Sequence, residues 1–168
     1  MISIKRIDVN TLTVSEILSL LEIARGFSAV RPDWNRLRRR LERCEAWFFC
    51  ESDAAVGFAL VDFPTVQYAS AAMLTALCYR WEYGDEGCIL QMLSALAGAY
   101  CSRARYLLLD IDCRHDLNLE LYLRFGFQTS ILPSPRSREN SVLIADLAQF
   151  APEPEAAERT IQPGSVQE

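Results

Sequence analysis

Three kinds of side chain could carry acid–base or binding chemistry here. The only histidine, His115, follows an apolar run ending near Asp112 and precedes an amphipathic one. An imidazole there invites a general-base role, and a lone histidine in a surface turn between strand and helix is the plainer reading. Seven residues on, Tyr122 carries a phenol that stays protonated at neutral pH and can serve as a general acid. An aromatic on the apolar face of a helix is equally ordinary core. Asp110 and Asp112 alternate with Leu109 and Ile111, so both carboxylates leave one face of a strand. If that face meets a cleft they can bind a cationic amine; otherwise they are its polar side.

Other chemistry-bearing residues point to ordinary roles. Asp85 and Glu86 precede a helical pattern, where carboxylates cap free N–H groups. The six cysteines (Cys44, Cys50, Cys78, Cys88, Cys101, Cys113) form no C-x-x-C pair and have one histidine among them. Zinc spacing is therefore missing, no metal is expected, and small buried free thiols suited to a reducing compartment are. The charge is −5 overall, yet residues 1–50 hold nine Lys/Arg against six Asp/Glu. Arg36, Arg38, Arg39, Arg40 and Arg43 crowd one segment. They read as an anion patch or, with Trp34, Leu37 and Leu41 beneath them, as the solvated face of an amphipathic helix. The acidic balance and the lack of interleaved basic aromatics argue against a nucleic-acid partner, and the helix face is favoured.

The elements that must position these groups follow from periodicity. Residues 2–8 alternate as a strand. Thr13 and Glu16 form a capping-box pattern ahead of a helix over 14–27, and Pro32-Asp33 opens a second helix over 33–43. Runs 45–51 and 55–63 around Ser52-Asp53-Ala54 predict a hairpin. A strand within 71–81, a short loop from Glu82 to Glu86 and a long helix over 87–102 come next. The apolar run 105–112 predicts a strand buried on both faces in a parallel pairing. A helix over 116–125 stops at Gly126, and strands over 127–132 and 140–147 flank a Pro/Ser-rich loop. One α/β domain over 1–150 is expected, with a disordered tail over 151–168. The polar N-terminus and the lack of an apolar run near 20 residues argue against a signal peptide or a membrane span, so a cytoplasmic location is expected.

This order resembles the GNAT superfamily of N-acetyltransferases. The resemblance rests on Ala55-Val56-Gly57-Phe58-Ala59-Leu60, on the segment from Glu82 to Leu93, and above all on Leu121-Tyr122-Leu123-Arg124-Phe125-Gly126-Phe127. The last is similar to the "LYxxxGF" ending of the family's final helix. It implies a mixed, mostly antiparallel sheet with helices on both faces, and acetyl transfer from acetyl-CoA to a small-molecule or peptide amine. By the same resemblance, the edge at Leu77, Cys78 and Tyr79 would pair with the pantetheine arm, and His115 would stand where the family often has an asparagine for that arm. Tyr122 would protonate the departing thiolate, and Glu82 would lie near the acceptor as a candidate base.

The phosphate loop departs from the family's Q/R-x-x-G-x-G/A. Here it reads Gly84-Asp85-Glu86-Gly87-Cys88-Ile89, and only Gly87 matches. A register two residues earlier, Glu82 to Gly87, regains the last glycine but puts Asp85 at the first and loses the helical phase. A branched Ile89 is expected to obstruct backbone approach to a diphosphate, and two carboxylates to repel it. The alternative is thus a catalytically degenerate GNAT-like domain acting as a binding or regulatory module. Two apolar strands near the C-terminus could pair across a homodimer.

Overall fold

Residues 1–27, 31–64, 70–112, 114, 116 and 118–150 are described in the computed structural model of the chain. The expected tail over 151–168, Cys113 and His115 lie outside the described residues.

The chain enters through β1 (Ser3–Arg6) and α1 (Val14–Arg25). The capping box at α1 forms: Glu16 N donates to Thr13 Oγ1 at 3.2 Å, and Thr13 N donates to Glu16 Oε2 at 2.9 Å. Asp33 caps α2 (Trp34–Leu41) by accepting from Arg36 N. The hairpin of β2 (Glu45–Glu51) and β3 (Ala54–Asp62) turns at Ser52 and Asp53, whose φ of 49° and 67° give the left-handed backbone that matches strand twist. There follow β4 (Ala71–Tyr79), a 3₁₀ turn (Trp81–Tyr83), α3 (Glu86–Tyr100), β5 (Tyr106–Ile111) and α4 (Leu119–Phe125). The described chain closes with β6 (Gln128–Thr129), β7 (Ser141–Asp146) and a 3₁₀ turn (Leu147–Phe150).

Seven strands form one sheet in the order β1-β2-β3-β4-β5-β7-β6. Every pairing is antiparallel except β4 with β5. Phe49, Ala59, Leu74, Leu107 and Leu109 bury one face against the α3 stripe of Ile89, Met92, Leu93 and Leu96. Phe48, Phe58 and Leu60 bury the other against Leu20 and Ile23 of α1 and Leu37 and Leu41 of α2. Each buried Leu, Ile, Met or Phe among these contributes about 1.5–3 kcal/mol. The mixed, mostly antiparallel sheet with helices on both faces is therefore as expected. No helix among the described residues is long and apolar enough to cross a membrane.

Three expectations need correction. Strand β6 is two residues long rather than six, because Ser130 turns its hydroxyl onto Val142 O at 2.7 Å and the chain then leaves the ladder. Helix α4 begins at Leu119 rather than near 116, because Asp116 accepts from Asn118 N in a turn of its own. The five described cysteines are free thiols but only half-buried. Gly126 does stop α4, at a left-handed φ of 119°, where an added Cβ would lie 2.9 Å from the Gln149 side chain.

Candidate active site

Strand β4 carries one residue more than its partner. The β3–β4 register runs Leu60 to Ala76 and then Val61 to Leu74, leaving Thr75 as a bulge whose hydroxyl donates to Leu60 O at 3.2 Å. A bulge bends its strand and ends regular pairing. The parallel ladder with β5 accordingly spans 71–74 against 106–109 and goes no further. Beyond it the strands part, leaving the β5-facing edge of residues 75–79 without ladder partners. The gap is a cleft of about 390 Å³ lined by Thr75, Leu77, Tyr79, Asp110, Asn118 and Tyr122 among others.

Tyr122 enters this cleft from α4 and is only 5% exposed. Burial pushes its phenol up, the Asp116 carboxylate adds to the push, and a hydrogen bond with the Asn118 side chain opposes both. The phenol is therefore protonated throughout the physiological range. Asn118 also donates from Nδ2 to Tyr79 Oη at 3.3 Å, tying the strand edge to the helix. By resemblance the sequence assigns the corresponding role to His115 and does not single out this asparagine. Its position four residues before Tyr122, one helical turn, was the available signal.

The opening of α3 follows the same, C-terminal end of β4. Asp85 caps it: Oδ1 accepts from Cys88 N at 3.1 Å. Gly87 permits this closeness, since a Cβ there would lie 3.2 Å from that same oxygen. The carboxylate pushes the Cys88 thiol up to about 11, chiefly by hydrogen bonding. Glu86 pairs with Arg124 of α4 at 2.7 Å, so its charge is countered. Ile89 is 1% exposed within the core, so its branch faces inward and does not crowd the loop. Gly84 packs under Tyr79, where a Cβ would stand 3.1 Å from the ring. Glu82 sits on the exposed 3₁₀ turn and is not among the described residues lining the cleft.

No family model and no curated protein matches this chain. Solved structures do. An aminoglycoside acetyltransferase in complex with coenzyme A aligns at a TM-score of 0.69 and 10% identity, over 89% of this chain and 96% of that one. The ribosomal-protein-S18-alanine N-acetyltransferase of Escherichia coli aligns at 0.64 and 16% identity, over 88% and 94%. A GNAT family acetyltransferase from Elizabethkingia anophelis with acetyl-CoA bound aligns at 0.59 and 14% identity, over 86% and 97%. This chain has the GNAT fold.

Within that GNAT fold, Asp110 of β5 and Asp112 just beyond it are both engaged in hydrogen bonds. Asp110 is 4% exposed, and its oxygens accept from Ser134 Oγ at 2.8 and 2.9 Å and from Asn140 Nδ2 at 2.9 Å. It anchors the loop before β7. Asp112 accepts from Arg114 Nε at 3.2 Å. Leu77 and Tyr79 pack toward α3, whereas Cys78 faces the α1/α2 side, where burial pushes its thiol up to about 12.

Proposed function

We propose that this chain transfers an acetyl group from acetyl-CoA to an amine. The observation that carries the reading is a buried, protonated Tyr122, tethered through Asn118, beside a bulged strand whose edge has no ladder partner. Residues 77–79 would hold the pantetheine arm by adding its amides to that edge. The α3 opening would hold the pyrophosphate, and there the fit is incomplete: Asp85 must give up Cys88 N before a phosphate can take it.

Bound acetyl-CoA supplies a thioester carbonyl as the electrophile. The acceptor nitrogen bonds to the carbonyl carbon as the C–S bond breaks. Tyr122 Oη gives its proton to the departing sulfur, and the surplus amine proton leaves to solvent; Glu82, outside the cleft lining, could take it only through water. A covalent route through Cys78 is disfavoured, because a thiol held near 12 is protonated at neutral pH.

The Asp85 cap favours a second reading, a GNAT-fold module that no longer turns over. A thermal-shift titration with acetyl-CoA, CoA and a nucleotide control separates the two. Ligand at about 100 times Kd stabilises by about 2.7 kcal/mol, a rise of several degrees. A saturable rise followed by Tyr122-dependent acetylation supports transfer. No rise at millimolar ligand rejects it.

A further inference from the structure

The arginines of α2 do more than solvate a helix face. On the α1/α2 side of the sheet a hollow of about 490 Å³ is walled by Arg31, Arg36 and Arg40, by Arg136 from the loop before β7, and by Asp33. Its floor includes Ala76 and Cys78 of β4. Ala76 and Phe27 also line the β4–β5 cleft, so the hollow opens onto the strand segment beside which Tyr122 stands.

The charge of this wall is not internally compensated. Arg6, Arg38, Arg80, Arg103, Arg105, Arg114 and Arg124 each pair with a carboxylate. Among the described residues, none of Arg31, Arg36, Arg40 and Arg136 has a carboxylate within 4 Å. Asp33 is already engaged with Arg36 N at the start of α2. Four guanidinium groups against one carboxylate, in a chain of net charge −5, make a local field opposite in sign to the whole. The placement is also built. Ser134 Oγ bonds both oxygens of buried Asp110 and accepts from Arg136 N at 3.1 Å, so a carboxylate in the cleft fixes the loop that brings Arg136 to the hollow.

We infer that the hollow receives the anionic end of the acyl acceptor, a small amine bearing a carboxylate or a phosphate. Guanidinium forks suit both groups, and several converging on one hollow favour an anion over a neutral or cationic amine. With its anion among the arginines, the amine would reach toward the β4 floor and the cleft. Naming the ligand an acceptor rests on the acetyl-transfer reading; the anion pocket does not.

The test uses the full chain with two readouts. Acetyl transfer is followed by thioester absorbance with L-aspartate and phosphoethanolamine as anionic amines, asparagine amide and ethanolamine as neutral counterparts, and spermidine as a cation. Calorimetry measures binding of the same probes and of CoA. Anionic amines are expected to exceed their neutral counterparts about tenfold or more in kcat/KM, and the winning arm tells carboxylate from phosphate. Arg36→Gln/Arg40→Gln, and separately Arg136→Gln, should raise KM for anionic amines about 10- to 100-fold and leave CoA affinity unchanged. Preference for neutral or cationic amines, or a loss of CoA affinity in these variants, overturns the anion pocket alone. Arginine-dependent binding of phosphoethanolamine or aspartate without transfer to any amine retains the pocket and rejects the transfer reading.

Discussion

At the start of α3, the chain's own Asp85 carboxylate takes the Cys88 N–H that a phosphate would use; under α2, four guanidinium groups face a hollow whose one carboxylate, Asp33, is engaged in capping the helix. Both are anion-favouring environments by elementary electrostatics, one through helix N–H groups and the dipole, the other through full charges. The first is satisfied internally and the second is left open. The difference teaches that a helix N-terminus alone does not mark where a negatively charged ligand binds; what matters is whether the protein has already filled it.

The largest expected effect tests the chemistry between these two regions. Tyr122→Phe should lower kcat by about 10²- to 10⁴-fold while leaving CoA affinity unchanged. Because the phenol is raised from its ordinary value, the wild-type rate should show no falling alkaline limb from this group up to about pH 10. Retained kcat in the Phe variant would remove Tyr122 as the acid.

Next comes the cause of the odd loop. Ile89→Gly, intuitive as a loop repair, should cost about 3–5 kcal/mol in denaturant unfolding, since it empties a core position and adds helix-breaking entropy. A neutral outcome would return Ile89 to the loop surface. Asp85→Ser keeps a capping oxygen and removes the charge. It should tighten CoA binding by about tenfold, the worth of one like-charge contact of 1–2 kcal/mol, with little change in stability. Unchanged affinity would mean that the filled N-terminus is not what limits binding.

The smallest effect reads the same contact from its other side. In the wild type, the pH midpoint for Cys88 alkylation should lie near 11, and Asp85→Ser should bring it down toward the ordinary thiol range. Mass spectrometry separates this thiol from Cys78, whose raised value comes from burial and should not move. Equal shifts at both would indicate general loosening rather than loss of one hydrogen bond.

Much of the fold was legible because its signals are local. The capping box at Thr13 and Glu16, the Ser52-Asp53 turn, the α3 stripe and the Gly126 stop each depend on residues within a few positions. Tyr122 was legible from LYLRFGF. Asn118 was not, because its partner Tyr79 is 39 residues away. The arginines of α2 looked like a solvated helix face, and in sequence they are: Leu37 and Leu41 are buried beneath them. That Arg31, Arg36 and Arg40 share a hollow with Arg136 depends on α2 lying over β4 and on Asp110 pinning the far loop.

The sequence by itself determined which segments are helix and strand, several of their caps and turns, and that a phenol would leave the inner face of the last helix. Those outcomes depend on caps, turns and apolar period, which act over one or two turns of chain. Only the tertiary structure decided that Thr75 is the extra residue that parts β4 from β5, that Ile89 faces the core, and that Asp85 closes the α3 N-terminus while four distant arginines stay open. Register, burial and charge pairing are set by contacts between segments far apart in sequence, and no local pattern carries them.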